Sequence, residues 1–344
     1  MHTRTPRLAK AITATAALSA VGLLAACSTS TADTEAVATS DAAETTDITV
    51  SMVTPESTGE YYGAMYCGAQ AAADEKGITL NIQGTPETTV EAEMQVLQSV
   101  LATEPDGLLL TVWDNTAFNE LVGEYTDAGN PLIMPDSFLT NDEFLQSIRT
   151  DGYQSSYDAA LAMIEEFGID SGSAMVLTDA PGNAFQLARA EGFRDALLEN
   201  TDIEVLDFQY VGGDAAEASQ ATSSAIAAND DLALVFSTNI GAGTGGANGI
   251  STSDSDAVLL GYDTSAAQVE SLRAGDYDAL VGQSPYLMGY EGVSLMADVL
   301  TGATEPDEVT EQVVWAPWAL VTAANIDDPE TSEYLYTTDC ASIG

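Results

Sequence analysis

The chain has 344 residues, with 54 acidic side chains against eight basic ones and one histidine, a formal charge of −46 at neutral pH. Such a surface repels nucleic acid and anionic lipid and disfavours an anionic substrate. The one histidine, His2, lies in a segment expected to be removed, so the remaining chain lacks the usual general base and the commonest metal ligand; neither a metal nor a cofactor is expected.

Arg4, Arg7 and Lys10 form a basic start, and residues 11–26 form an apolar stretch of small residues. Leu24-Ala25-Ala26-Cys27 follows. The pattern resembles the bacterial lipobox, which implies a signal peptide over 1–26, cleavage before Cys27 and lipid on that cysteine; an ordinary signal with a chance cysteine is the alternative. Cleavage leaves Lys76, Arg149, Arg189, Arg194 and Arg273, five cations against 54 acids, a charge of −49. Residues 27–46 carry almost no large apolar side chain and read as a flexible tether. No later stretch is long and apolar enough to span a bilayer, so the lipid on Cys27 is the only membrane contact expected.

Residues 47–54 alternate into a first strand, and Tyr61-Tyr62 open a helix that Gly77 closes. Residues 78–83 read as a second strand and 88–103 as a helix. Residues 108–112 form a continuous apolar run, as a strand buried on both faces requires. Asp114 or Asn115 can cap the next helix, whose Phe118, Leu121, Val122 and Tyr125 make one apolar stripe. Residues 132–134 are the next strand, ending just before Asp136. Residues 144–150 read as a strand or hinge. The same alternation then repeats through strands at 174–178, 205–210, 232–237, 258–261 and 279–283, with helices at 151–167, 185–198, 215–228, 265–274 and 288–300. Residues 313–320 read as extended. A β-α rhythm that runs twice, over more residues than one core usually holds, predicts two α/β lobes with doubly wound parallel sheets.

Ligands of open parallel sheets bind beyond the carboxyl ends of the strands. The residues expected there are Tyr61, Tyr62, Trp113, Asp136, Asn239, Asp263 and Gln283, joined by Arg189 on a helix. Aromatic faces with carboxylates, amides and one guanidinium suit a neutral, polyhydroxylated ligand, because each hydroxyl both donates and accepts. No member is a nucleophile with a base beside it, so binding without reaction is expected, and the chain is not read as an enzyme. Cys67 lies on the helical face opposite Met65, Ala69 and Ala72 and is expected to bridge to Cys340 in an oxidising compartment; two free thiols are the alternative.

Over roughly residues 47–325 the chain resembles the ribose/galactose-type (type I) substrate-binding lipoproteins of bacterial ABC sugar importers. The resemblance is carried by Glu60-Tyr61-Tyr62, Gly68-Ala69-Gln70, the run from Pro105 to Leu110, Gly129-Asn130-Pro131 to Asp136, and Thr150-Asp151-Gly152-Tyr153-Gln154. In the second half it is carried by Arg189-Ala190-Glu191-Gly192-Phe193, Gly261-Tyr262-Asp263 and the run from Val281 to Tyr286. It implies Tyr61 and Tyr62 as aromatic walls that sandwich a sugar ring, with Asp136, Arg189, Asn239, Asp263 and Gln283 on its hydroxyls. It also implies an extracytoplasmic protein, expected as a monomer, that serves a membrane permease. The expected first lobe is 47–150 with about 284–312, the second is 151–283 with about 313–325, and 326–344 is a tail. The implied crossovers lie at about 150, 264–284 and 310–315.

Two departures from the family pattern stand out. Ser137 replaces the charged residue that often follows the first-lobe Asp, which removes a cationic neighbour from Asp136. The segment from Ile240 to Gly246 replaces a well-formed helix. Gly241, Gly243 and Gly246 there fit G-x-G-x-x-G, with Asp263 about twenty residues on, the fingerprint of dinucleotide enzymes. A poor helix after the glycines argues against that reading. A nucleoside or signalling furanoside as ligand, or a membrane sensor as partner, are the nearer alternatives.

Overall fold

The computed structural model describes residues 48–342 apart from Thr88; the signal peptide, Cys27 and the tether expected over 1–46 lie outside the described residues. The described residues fall within one unit, Thr45–Gly344. The first half runs β1 (Thr49–Thr54), α1 (Glu60–Lys76), β2 (Thr79–Gly84), α2 (Val90–Leu101), β3 (Gly107–Leu110), α3 (Asn119–Asp127), β4 (Leu132–Pro135) and β5 (Gln146–Arg149). The second runs α4 (Gly152–Phe167), β6 (Ser173–Thr178), α5 (Ala184–Asn200), β7 (Glu204–Val205), β8 (Gln209–Tyr210), α6 (Ala215–Ala228), β9 (Leu232–Ser237), α7 (Ile240–Thr252), β10 (Val258–Tyr262), α8 (Ala266–Ala274) and β11 (Ala279–Gly282). The chain then returns through α9 (Pro285–Thr301), β12 (Val313–Trp315), β13 (Ala319–Thr322) and the short α10 (Pro329–Ser332).

Two sheets result. The first has the order β12-β5-β4-β3-β1-β2, all parallel; the second has the order β13-β11-β10-β9-β6-β7, with β8 also on β6 and β13 antiparallel at the edge. The expected fold class, two doubly wound α/β lobes, is the one observed. The apolar run of β3 is explained by its two faces. Leu109 packs with Met65, Met288 and Val293 under α1 and α9, while Leu108 and Leu110 pack with Leu97, Phe118 and Val122 under α2 and α3. The second sheet is sandwiched the same way, with Phe193 and Phe236 on one side and Val235 and Leu280 on the other.

The lobes are joined where the chain leaves one sheet for the other: at 150–151, at 283–284 and at 316–318. The third crossing lies later than the expected 310–315. Val313–Trp315 pairs in parallel with Ser147–Arg149 and so completes the first sheet, whereas the sequence reading gave residues from about 313 to the second lobe. The reading of residues 144–150 as strand or hinge resolves into both, since β5 ends one residue before the first crossing. The helix expected to be capped by Asp114 or Asn115 starts later, at Asn119. Asp114 Oδ1 accepts from the amides of Thr116 and Ala117 and so closes a turn ahead of α3.

The segment from Ile240 onward is a helix of 13 residues, which corrects the expectation of a poor one. Its glycines serve packing: a Cβ on Gly241 would lie 1.9 Å from the carbonyl oxygen of Gly213, and one on Gly245 would lie 2.4 Å from that of Ala215. The gain from close apposition to α6 outweighs glycine's poor helix propensity, roughly 1 kcal/mol per residue. The pair α1 and α9 meets in the same manner. A Cβ on Gly68 would stand 1.9 Å from the Tyr286 carbonyl oxygen and one on Gly289 would stand 2.1 Å from that of Met65. Among the described residues no helix is long and apolar enough to cross a membrane. Gly68→Ala is expected to lower unfolding free energy by about 1–3 kcal/mol in urea titrations, through overpacking against backbone. Gly182→Ala, with open space around its Cβ, is expected to stay within about 0.5 kcal/mol of the parent.

Candidate functional site

The carboxyl ends of both sheets face one cleft of about 470 Å³. From the first lobe come Tyr61 and Tyr62 in the first turn of α1, Trp113 beyond β3 and Asp136 beyond β4; from the second come Arg189 on α5, Asn239 ahead of α7, Asp263 beyond β10 and Gln283 beyond β11. All eight residues singled out in the sequence line this cleft. The placement follows from topology. The strand order reverses between β1 and β3 in one lobe and between β6 and β9 in the other, which opens a crevice at each reversal.

The two carboxylates occupy matching positions. Asp136 and Asp263 each follow the last residue of a strand, and both hold left-handed backbones, with φ of 57° and 76°. The amide of Asp136 donates to Ile148 O on the next strand at 2.8 Å, and that of Asp263 to Val281 O at 2.9 Å. Aspartate tolerates this region better than most residues, yet each such residue still costs of order 1–3 kcal/mol, a strain found where geometry serves a site.

A chain of polar contacts fixes the second lobe's side. The Arg189 guanidinium lies 3.8 Å over the ring of Tyr262, whose hydroxyl is tied to Ser155 Oγ at 2.8 Å. Arg189 donates to Thr238 O at 2.9 Å and to Gln283 Oε1 at 3.4 Å. Gln283 Nε2 then donates one of its two hydrogens to Asp263 Oδ1 at 2.8 Å, so the amide links the guanidinium to the carboxylate and keeps a second donor. Asn239 Oδ1 accepts from the amide of Ala242 at 2.9 Å and caps α7, which leaves its amide nitrogen as the donor for the cleft.

Burial raises the carboxyl of Asp136 to about 6; the Tyr61 hydroxyl and the charge of Arg189 oppose the rise, Asp263 adds to it, and Arg149 opposes it. Burial disfavours the charge of Arg189 too, but Tyr262, Asp263 and Asp136 outweigh it and hold the guanidinium above its ordinary value. Arg149 stands over Phe138 at 4.3 Å and Trp315 at 5.1 Å. Asp136 therefore keeps cationic neighbours despite Ser137, from β5 and α5, which corrects the loss expected there. Ser137 itself is buried, accepts from the amide of Val112 at 3.1 Å and donates to Leu110 O at 3.3 Å.

Tyr61 and Tyr62 stand edge to face, with ring centres 5.2 Å apart and planes at 90°. They offer one face and one edge, so the expected sandwich between parallel walls does not form from this pair. Several cleft residues were not singled out in the sequence. Phe185, Asn183 and Asp179 lie beyond β6, where the same strand-end rule would have found them. Phe138 and Phe185 meet across the lobes at 5.1 Å, and Glu60 Oε2 accepts from the amide of Ala266 at the start of α8. Glu93 gave no signal, since a glutamate on an amphipathic helix usually faces water. It is fully buried, its Oε2 accepts from the amide of Trp113 at 3.2 Å, and burial raises its carboxyl to about 8. Tyr336 gave none either; its hydroxyl donates to Asp263 Oδ1 at 2.9 Å.

The cleft thus sets acceptors, donors and aromatic surface around a small volume. Among the described residues no group of three His, Cys, Asp or Glu side chains gathers as a metal site, and Cys67 and Cys340 form a disulfide.

The sequence profile of the family described as "Periplasmic binding protein domain" matches residues 50–304. The chain is 23% identical over 255 residues to the ribose import binding protein RbsB of Escherichia coli K12, covering 74% of this chain and 85% of that one. A solute-binding protein of an ABC transporter from Agrobacterium vitis, solved with α-D-tagatopyranose, superposes with a TM-score of 0.78 at 26% identity, over 84% of this chain and 99% of that one. A second from the same organism, solved with D-fucose, gives a TM-score of 0.75 at 25% identity, over 84% and 100%.

Raised carboxyl values fix a sign for pH dependence. Between 3.8 and about 6 for Asp136, and between 4.5 and about 8 for Glu93, the folded protein holds a proton that the unfolded chain has released. Both groups therefore lower stability as pH rises through those windows, and add nothing further above them. Thermal melts are expected to show the parent losing stability from pH 6 to pH 8 more steeply than Glu93→Gln. Asp136→Asn is expected to flatten the segment below pH 6.

Proposed function

This chain belongs to the periplasmic binding protein domain family, and on that premise we propose that it captures a neutral sugar or polyol between its two lobes and delivers it to the permease of an ABC importer. The observation that carries this reading is the pair of carboxylates at matching strand ends, one per lobe, both acting on the guanidinium of Arg189. Asp136 and Asp263 supply acceptors, and Arg189, Gln283 and the Asn239 amide supply donors. Tyr61, Tyr62 and Trp113 supply apolar surface for the C–H faces of a ring. The guanidiniums of Arg189 and Arg149 are matched by the carboxylates of Asp136 and Asp263, which leaves no positive charge to spare for an anion and favours a neutral ligand.

In this reading the lobes turn about the crossings at 150–151, 283–284 and 316–318 and close on the ligand as a hinge. The contacts between Phe138 and Phe185, and between Glu60 and the start of α8, are where the lobes meet beside the cleft. The protein works as a monomer outside the cytoplasm, held to the outer face of the cell membrane by acyl chains on Cys27 after removal of residues 1–26. A durable anchor of this kind needs more than one acyl chain. The relative named for ribose and the structures solved with tagatopyranose and D-fucose support a monosaccharide as the ligand.

The test is a thermal-shift panel of D-ribose, D-allose, D-arabinose, D-fucose, D-tagatose and myo-inositol, with adenosine and NAD as controls. A ligand at about a hundred times its dissociation constant adds roughly 2.7 kcal/mol, a rise of several degrees. One sugar class is expected to shift the protein alone. Silence from every sugar with a response to a control rejects the reading. For the sugar that binds, Asp263→Ala is expected to weaken affinity by about 1–3 kcal/mol in calorimetry, because the ligand's hydroxyl loses its charged partner.

A further inference from the structure

We propose that the segment after α10 is a strap across the hinge, in which Tyr336 positions the ligand-facing carboxylate of Asp263 and the Cys67–Cys340 disulfide keeps Tyr336 in place. The proposal rests on the reading of the cleft as a binding site.

The strap starts in one lobe and ends on the other. Beyond β13 and α10 the chain runs along the second lobe: the amide of Tyr336 donates to Thr264 O at 3.1 Å, the Thr264 hydroxyl donates to Tyr334 O, and Gly282 lies against Tyr334. Four residues later the chain is bonded to the first lobe. Cys340 joins Cys67 on α1, with Cα atoms 5.1 Å apart, and Thr338 packs where Gly63 leaves no Cβ.

Tyr336 sits where these paths cross. It is 5% exposed, and its ring meets that of Tyr61 at 5.4 Å and 74°. Its hydroxyl donates to Asp263 Oδ1 at 2.9 Å and accepts from the amide of Gln283 at 3.3 Å. One phenol therefore touches the second lobe's carboxylate, the second crossing and the first lobe's aromatic side chain. Two donors, Tyr336 and Gln283 Nε2, converge on Oδ1 of Asp263. The carboxylate plane is then fixed, and Oδ2 is the oxygen left for a ligand hydroxyl. Burial holds the phenol well above its ordinary value, so it remains a donor.

Packing and hydrogen bonds tie the strap to the second lobe: Leu335 packs against that lobe's core, and Tyr334 and Tyr336 bond to Thr264. Between the strap and the start of α9 lies a cavity of about 680 Å³, lined by Pro285, Pro317, Pro329 and Tyr334 among others. The disulfide adds the covalent tie to the first lobe. Four extended residues reach at most about 14 Å, so with the Cα of Cys340 held 5.1 Å from that of Cys67 the disulfide keeps Tyr336 within reach of α1 whatever angle the lobes adopt.

The test compares the intact protein with Tyr336→Phe, Cys340→Ser and the double variant, using whichever sugar of the panel above shifts the parent most. Tyr336→Phe is expected to bind about tenfold more weakly, as loss of one hydrogen bond to a charged group requires, while its ligand-free melting temperature stays close to that of the parent. Cys340→Ser is expected to weaken binding as well, and the double variant to be no weaker than Tyr336→Phe, since the two residues act as one device. A packing role alone would lower the melting temperature without this non-additivity in affinity. Affinity of Tyr336→Phe within about twofold of the parent, or fully additive losses, overturns the proposal. Hydrogen exchange of the ligand-free protein separates this from failure of the sugar reading. If no sugar binds the parent, faster exchange of the Gln283 amide in Tyr336→Phe still supports the strap, and unchanged exchange overturns it.

Discussion

Two carboxylates drawn out of water into one cleft repel each other, and the guanidinium of Arg189 is what makes their burial tolerable. Its contribution depends on placement. The ring of Tyr262 lies beneath it, Thr238 O and Gln283 Oε1 take its hydrogens, and Asp136 and Asp263 share its field from opposite lobes. Removing a partner from such a group leaves a buried charge unmatched, which is commonly worth several kcal/mol. Each part of the arrangement is set by a strand end. Asp136 needs β5 to accept its amide, Asp263 needs β11, and Gln283 is the residue that follows β11. The sheets thus act as a rigid jig for charges that would not otherwise sit together.

The same dependence accounts for what the sequence revealed and what it hid. Runs such as residues 108–110 and 232–237 are apolar because both faces are covered, so strands and their ends were legible, and with them the eight cleft residues. Strand ends are local features; a short window of sequence contains all that is needed to find Asp136 or Asp263. Tyr336, Glu93 and Arg149 act through partners 73, 20 and 166 residues away, and nothing in the neighbourhood of each marks it. Geometry between neighbours was equally hidden: the pair Tyr61-Tyr62 was visible, but not the right angle between the rings.

Where the reading of local propensity failed, packing had overridden it. The glycines of α7 looked like a phosphate-binding turn and a weak helix. In the fold Gly241, Gly245 and Gly249 are the contact face toward α6 and the loop before it, because only a residue without Cβ lets Gly213 and Ala215 approach. Gly243 and Gly246 lie instead against Tyr277 and the strand residues Leu177 and Val235. Residues 313–315 looked like the start of the second lobe's last segment. They pair with β5 because the first sheet has an open edge there and the crossing follows only at Ala316.

The disulfide has a consequence for the order in which the molecule is completed. Cys67 lies in the first helix and Cys340 is 273 residues further on, past every strand and past all three crossings. A chain interrupted anywhere between Cys67 and Cys340 carries Cys67 without its mate. The bridge therefore records that the chain was made as far as Cys340 and folded back against the first helix. A copy that lacks Cys340 is chemically distinguishable by the free thiol of Cys67.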